Sequence, residues 1–228
     1  GTDIVYDGEP NGTERHSNMI SAYHSTGNIA SVHWSLLYHT ISTANTIIDR
    51  LPVSEVSEEQ KTIAEAKARF FRGFAYRTLA YLYGGVPLLL TEVIEPKFDY
   101  VRASKEEVLR QALTDVEFAA AHLPSLSSVQ DGEVSNAAAY HLLSELYLAT
   151  AQYQKAVDAA TTVIDDPATG LMYTRFGSRA NELPGDVYWD LFRKNNQNRS
   201  SGNTEGIWVI QIETDTPGGS GSLTAKDQ

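Results

Sequence analysis

The sequence predicts a mainly α fold in which helical hairpins are separated by long loops, with a minor β element near the C-terminal end. Apolar residues recur at helical spacing along several long stretches, as in amphipathic helices. Serine capping boxes begin two of these stretches, and glycine or proline follows the ends of several. The run 206–213 reads as a strand, because it is apolar on both faces at first and alternates later.

The clearest predicted helix covers residues 57–83. Ser57 precedes Gln60 by three positions, which is a capping box, and Gly84 and Pro87 follow the helix end. Two apolar stripes place the helix between other helices. They are Ile63, Ala66, Phe70, Phe74 and Tyr81, and Ala64, Ala68, Phe71, Ala75, Leu79 and Leu82. Lys61, Glu65, Arg69, Arg72 and Tyr76 share a polar strip.

A second helix is predicted over residues 29–51, ended by Pro52. Its apolar face carries Trp34, Leu37, Ile41, Ala44 and Ile48. Asn45 lies beside that face, and a buried amide has to be hydrogen-bonded. We therefore expect Asn45 to tie this helix to a neighbour rather than to contact a ligand, and we expect the helices 29–51 and 57–83 to form a hairpin.

Further helices are predicted downstream. Ser104 and Glu107 form another capping box before an apolar stripe that ends near Pro124. Residues 136–165 read as a hairpin with Ala139, Leu142, Leu146 and Ala149 on one helix and Ala156, Ala160 and Val163 on the other. The spacing of Tyr147, Tyr153, Ala156, Ala160 and Pro167 resembles a tetratricopeptide repeat. We assign a tetratricopeptide-like hairpin to residues 136–167.

Composition restricts the classes of partner. The formal net charge is −11, which argues against a nucleic acid partner because phosphate backbones require clustered Lys and Arg. The chain has no Cys, which excludes disulfides and thiolate metal sites. It also contains no run of 18 apolar residues that could span a membrane.

Catalytic, cofactor and metal motifs are missing from the sequence. No G-x-S-x-G, H-E-x-x-H, G-x-G-x-x-G or G-x-x-x-x-G-K run occurs. The histidines of the first forty residues are not spaced as a helical metal pair, and the acidic residues of segment 1–28 do not follow the spacing of an EF-hand loop. We therefore expect a protein without enzymatic activity, cofactor or bound metal.

Three passages of the sequence are similar to the SusD/RagB family. The run A-E-A-K-A-R-F-F-R-G-F-A-Y-R-T-L-A-Y-L-Y-G-G-V-P at 64–87 resembles the family's hallmark helix, with Gly73 where the family usually has Ala. Downstream, the family's "W-x-x-L-F … N-x-E-x-I-W-x-I-Q" passage is matched by Trp189, Leu191, Phe192, Asn203, Glu205, Ile207, Trp208, Ile210 and Gln211. With the "A-N-x-I-I" run around Asn45, the resemblance extends over most of the chain.

The resemblance implies a surface-exposed, glycan-binding lipoprotein of a Bacteroidetes outer membrane. It implies that residues 1–228 are a single domain, a fragment that lacks an N-terminal lipidated segment and a C-terminal remainder. In the family's starch-binding prototype, a long loop supplies aromatic and amide groups to the sugar, and Tyr6 and Asn11 are the residues of matching type here. The implied partners are an oligosaccharide or polysaccharide and a SusC-like TonB-dependent transporter.

Two other classes of function stay open at this point. A tetratricopeptide-like adaptor would bind a protein or peptide in a helical groove, but regular repeats with short loops are expected of it. A glycoside hydrolase needs two carboxyl groups across a cleft, and the adjacent Asp165 and Asp166 read as ordinary turn residues.

Overall fold

A computed structural model describes residues 28–211 of the chain, and the mainly α prediction is confirmed. The helices of this part are α1 (Asn28–Arg50), α2 (Glu58–Tyr83), α3 (Lys105–His122), α4 (Asn136–Ala149), α5 (Tyr153–Ile164) and α6 (Val187–Leu191). Short 3-10 turns occupy Leu51–Val53, Leu126–Ser128 and Arg199–Ser201. The chain divides into two compact units, Gly1–Asp115 and Val116–Gln228, and the division falls within α3.

Helices α1 and α2 pack against each other in the first unit, as the sequence predicts. At the start of α2 the capping box is complete, because the Ser57 hydroxyl accepts from the amide of Gln60 and the Gln60 side chain accepts from the amide of Ser57. At its end Gly84 adopts φ +74°, a conformation that favours glycine. A Cβ on Gly85 would lie 2.1 Å from the carbonyl oxygen of Ala103, so the returning chain requires a glycine there.

The core of this hairpin follows the predicted stripes in part. Ile41 and Ala44 of α1 are buried, as are Phe70 and Leu79 of α2. Phe71 and Phe74 are only half-buried, which corrects the prediction that places them in the core with Phe70.

The two halves of the polar strip of α2 differ in burial. The second half, Arg72 and Tyr76, is buried against the chain segment that follows the helix. The first half stays nearer to solvent, with the Glu65 and Arg69 side chains paired at 2.7 Å.

Helices α4 and α5 form the predicted hairpin in the second unit, joined through Thr150–Gln152. Ala139, Leu142 and Leu146 are buried on α4, and Ala156 and Val163 on α5. The structure corrects two predicted core positions. Ala149 is exposed, and Ala159 rather than Ala160 has the fully buried place on α5.

Residues 206–211 form no strand, contrary to the predicted β element. A strand needs a neighbouring backbone for its ladder, and between residues 28 and 211 the one β-bridge joins Pro87 to Arg102. Side-chain bonds hold the segment instead, from the Trp208 indole to the carbonyl of Gly132 and between the amides of Gln211 and Asn198. Residues 212 and 213 lie outside the described part of the chain.

Candidate functional site

An aromatic cavity of about 440 Å³ opens in the first unit, between α1 and residues 84–104, the connector from α2 to α3. Its described lining residues are Trp34, Tyr38, Ser42, Asn45, Pro87, Leu89, Thr91, Val93 and Tyr100. They supply three aromatic rings, several hydroxyl groups and one amide, and none of them is charged. The volume falls within the roughly 300–1,000 Å³ typical of small-molecule sites.

Trp34, Tyr38 and Ser42 follow one another at i, i+4 and i+8, so they share one face of α1. The Trp34 ring packs 4.8 Å from the ring of Tyr38 and meets the ring of Tyr83 edge-on at 5.1 Å. The Tyr83 hydroxyl donates to the carbonyl of Ala30 at 2.6 Å, which ties the end of α2 to the start of α1. These contacts fix the positions of the Trp34 and Tyr38 rings, which form the aromatic wall of the cavity.

Tyr38 joins this wall to the connector, since its hydroxyl donates to the carbonyl of Pro87 at 2.7 Å. Burial is the main cause that raises the pKa of Tyr38 above its usual range, and the electrostatic interaction with the nearby Tyr76 adds to it. The phenol therefore stays neutral at physiological pH and keeps its donor proton.

Asn45 lines the cavity and is hydrogen-bonded to the connector. Its side-chain amide donates to the carbonyls of Leu89 at 2.9 Å and Thr91 at 3.1 Å. Its oxygen accepts from Arg72 at 2.8 Å. Asn45 therefore ties α1 to its surroundings, as the sequence predicts, and its partners are a connector backbone and an arginine.

The buried ion pair between Arg72 and Asp115 holds Asn45 in place. Arg72 donates to Asp115 through Nε at 2.8 Å and Nη2 at 2.7 Å, and its Nη1 also reaches the carbonyl of Leu90 at 3.2 Å. Arg72 is 4 % exposed and Asp115 is fully buried. The guanidinium thus links α2, α3, α1 and the connector.

Tyr76, one turn after Arg72, clamps the same connector. Its hydroxyl accepts from the amide of Leu89 at 2.6 Å and donates to the Leu89 carbonyl at 2.8 Å. Burial raises the pKa of Tyr76 to about 12, so the phenol remains a donor. The Arg-x-x-x-Tyr spacing of the hallmark helix puts both groups on one helix face, where they position the connector instead of contacting solvent.

A second, charged cavity of about 650 Å³ is lined by residues 91–93 and 95–99 and shares Thr91 and Val93 with the aromatic cavity. Arg50 pairs with Glu92 at 2.5 Å, and this hydrogen bond lowers the pKa of that carboxyl. Lys97 lies 3.3 Å from Asp99 and likewise lowers its pKa.

The second unit carries an exposed aromatic pair at α6, one ring within the helix and one on the residue that follows it. Tyr188 and Phe192 are 70 % and 68 % exposed, and their rings meet at 5.0 Å. Arg175 anchors this helix through Asp190, with its Nε 2.5 Å from one carboxylate oxygen. This hydrogen bond is the main cause that lowers the pKa of Asp190.

The N-x-E motif downstream of α6 is structural. The amide of Asn203 donates to the carbonyl of Asn196 at 3.1 Å, while its oxygen accepts from the backbone amide of Glu205 at 3.0 Å. The carboxylate of Glu205 accepts from the amide of Met172 at 2.8 Å.

The predicted ligand residues Tyr6 and Asn11 lie outside the described residues, so their role stays a prediction. Sequence reasoning missed the aromatic cavity, since it assigned Trp34 to the core face of α1 and gave Tyr38 and Tyr100 no binding role. The i, i+4 and i+8 spacing of Trp34, Tyr38 and Ser42 is the signal that could have indicated it. The connector wall has no comparable local signal.

Metal and membrane-spanning sites are absent from the part of the chain that the structure describes. Between residues 28 and 211, no three His, Asp or Glu residues come together as a set that could hold a metal ion. No helix in that range combines the length and apolarity needed to cross a bilayer.

The fold places the protein among tetratricopeptide-like helical scaffolds. The SusD-like_3 family, described as starch-binding and associating with the outer membrane, matches residues 9–148, which is more than half of the chain. The chain therefore belongs to the SusD-like family.

Individual relatives agree with this assignment. SusD-like protein P25 of Formosa agariphila is 23% identical over 210 residues, which are 84% of this chain and 40% of that protein. A crystal structure with a xylogluco-oligosaccharide has a TM-score of 0.71 at 22% identity and covers 93% of this chain and 40% of its own. A laminarin-binding SusD-like protein has a TM-score of 0.56 at 27% identity, and the match covers 63% of this chain and 33% of that protein. The chain spans two fifths or less of the length of these three proteins.

Proposed function

We propose that this protein is a non-catalytic, cell-surface carbohydrate-binding protein of the outer membrane. It captures oligosaccharide and passes it to a SusC-like TonB-dependent transporter. The observation that carries the proposal is a cavity whose described lining is uncharged and holds three aromatic rings, in a member of a family described as starch-binding. Glycan binding by the relatives, to laminarin and to a xylogluco-oligosaccharide, supports the same class of ligand.

The chemistry of the lining suits a sugar ring. Sugars present an apolar face of C–H groups, which packs on aromatic rings such as those of Trp34 and Tyr100, and a periphery of hydroxyl groups. The hydroxyls of Ser42 and Thr91 make no hydrogen bond to other residues between 28 and 211, so they are available to sugar hydroxyls.

The cavity is also preorganised. Asn45, Arg72 and Tyr76 fix the connector that forms one wall, so a ligand does not have to order this backbone on binding. Binding then costs less conformational entropy than at a mobile loop. This gives the hallmark helix a physical role in ligand binding although Arg72 and Tyr76 do not line the cavity.

Capture without cleavage follows from the same lining. Glycoside hydrolysis uses a pair of carboxyl groups that flank the scissile bond, and no carboxyl group is among the described residues of the aromatic cavity. Reducing-end release from a polysaccharide by the pure protein, abolished by changing one carboxylate, would contradict a non-catalytic role.

The test of glycan binding is a glycan-array screen of the full-length protein, followed by calorimetry on the ligands found. Tyr100 is 45 % exposed, so Tyr100→Ala removes one ring at little risk to the fold. We expect it to weaken binding about tenfold, an effect of roughly 1.4 kcal/mol. Tyr153→Ala on α5 is the matched control, since this ring is exposed and does not line the cavity.

Unchanged affinity in Tyr100→Ala would place the site elsewhere, with Tyr6 and Asn11 of the N-terminal segment as the next candidates. If no glycan on the array binds, the proposed function is wrong.

The membrane anchor and the transporter are further parts of the proposal. A lipid attached upstream would tether the protein, and stable attachment takes more than one acyl chain or a protein partner. Extraction of the native protein in mild detergent should co-purify a barrel transporter. Recovery without one would leave a free surface glycan binder.

A tetratricopeptide-like adaptor remains the alternative, and one observation favours it. Helix α5 exposes Tyr153, Val157 and Ile164, an apolar stripe beside its buried face. A protein ligand on this stripe would be lost in Val157→Asp, whereas glycan binding in the cavity would be unaffected.

A further inference from the structure

We infer that the aromatic cavity selects uncharged saccharides and rejects sulfated and uronic ones. The inference rests on the proposed glycan-binding function and adds the class of ligand. It starts from the lining, whose described residues contain hydroxyls, an amide and aromatic rings but no Lys, Arg or His. A sulfate or carboxylate placed there would lose hydration without gaining an ionic partner, which is costly.

Three described cations near the cavity, Arg72, Arg50 and Lys97, are already paired with carboxylates. Arg72 lies behind the cavity wall and donates two hydrogen bonds to Asp115, which neutralises its charge in a buried pair. Arg50 is paired with Glu92 at the neighbouring charged cavity, and Lys97 lies against Asp99. An anionic sugar would have to displace a carboxylate to pair with any of these three cations.

The neighbouring charges are also of the wrong sign for an anion. Among the described residues that line the adjoining charged cavity, Glu92, Glu95 and Asp99 are acidic and Lys97 is basic, and Arg50 pairs with Glu92 from outside that lining. Glu95 forms no ion pair with any other residue in the range 28–211. The complete chain has a formal net charge of −11. Negative charge in this neighbouring cavity lowers the local concentration of anions and disfavours their binding, whereas the binding of a neutral sugar is unaffected.

The first arm of the test compares ligand classes in the full-length protein. The probes are neutral laminari-, cello-, malto-, xylo- and manno-oligosaccharides, sulfated galactan oligosaccharides, and oligo-uronates from alginate and pectin. We expect binding within the neutral set only. The affinity should change less than about twofold between roughly 50 and 500 mM NaCl, because no ion pair forms.

The second arm inserts a cation. Ser42→Lys places an ammonium at the exposed edge of the lining, and we expect it to raise the affinity for a sulfated form of the bound sugar about tenfold. Val53→Lys is the matched control. It adds the same charge at a position that is 85 % exposed, beyond the end of α1 and outside the lining, so it should change this affinity less than about twofold.

The outcomes separate the inference from the function on which it rests. A parent protein that binds a sulfated or uronic saccharide more tightly than its neutral counterpart overturns the inference and leaves glycan binding intact. If neither Tyr100→Ala nor Ser42→Lys alters the binding of the neutral saccharide, the ligand lies outside this cavity. That result also overturns the inference. Failure of every saccharide to bind would remove the proposed function itself.

Discussion

Replacing Asp115 by alanine tests the buried ion pair that holds the wall of the aromatic cavity. The substitution leaves Arg72, which is almost completely buried, without the carboxylate that accepts two of its hydrogen bonds at 2.8 and 2.7 Å. Removing one partner of a buried ion pair typically costs about 3–5 kcal/mol, because the remaining charge is uncompensated. Arg69, whose Nη1 lies 3.6 Å from Asp115, loses a weaker contact as well.

Urea unfolding monitored by far-UV circular dichroism would measure this loss. In a chain of this size, each kcal/mol corresponds to about 2–4 °C in melting temperature, so a decrease of about 6–20 °C is also expected on heating. Glu58→Ala is the control, since Glu58 is mostly exposed and pairs with Lys61 at 2.9 Å on the surface. That pair should contribute no more than about 1 kcal/mol.

A double variant separates the charge from the packing. Arg72→Met combined with Asp115→Leu removes both charges and retains most of the volume, so it should be more stable than Asp115→Ala alone. It still leaves the Asn45 oxygen and the Leu90 carbonyl without the donor Nη1, at a cost of about 1–3 kcal/mol. An Asp115→Ala variant that loses no more stability than Glu58→Ala would refute the reasoning.

Three other substitutions test separate parts of the structure. Phe70→Ala should cost about 3–5 kcal/mol in urea unfolding because Phe70 is 1 % exposed, and a loss below about 1 kcal/mol would contradict its core position. Gly177→Ala should destabilise the second unit, since a Cβ at φ +76° would lie 2.0 Å from Asn196 Oδ1, and an unchanged melting temperature would show that the loop rearranges freely. Glu107→Gln concerns pH, because hydrogen bonds from the Ser104 amide and then its hydroxyl lower the native pKa of Glu107. The stabilisation by the carboxylate is complete above its unfolded pKa of about 4.3 and is lost as the pH falls through the lower native pKa. The parent protein should therefore lose its stability advantage over Glu107→Gln in an acid titration. A stability advantage that does not depend on pH would contradict this prediction.

Local signals predicted the helices well. The capping boxes of Ser57 and Ser104 both form, because each depends on residues three positions apart. Helix α6 was not predicted from the Asn- and Gly-rich segment that contains it. Its five residues carry too few turns for a hydrophobic period, and the Arg175–Asp190 pair that anchors it links residues 15 positions apart. The strand predicted over 206–213 does not form in its described part, 206–211, for a related reason: alternation is typical of a strand but cannot supply the neighbouring strand that it needs.

The sequence alone determined the mainly α fold, most helix boundaries and the resemblance to the SusD family. These depend on periodicity, caps and motif spacing, which are properties of contiguous residues. Tertiary structure alone decided the burial of Arg72 with Asp115, which lies 43 residues away, and the partners of Asn45 on a connector more than 40 residues downstream. It also decided that Tyr100 joins the Trp34 and Tyr38 rings around one cavity. Such groups meet only when packed helices and a clamped connector bring distant segments together, and no local pattern encodes that distance.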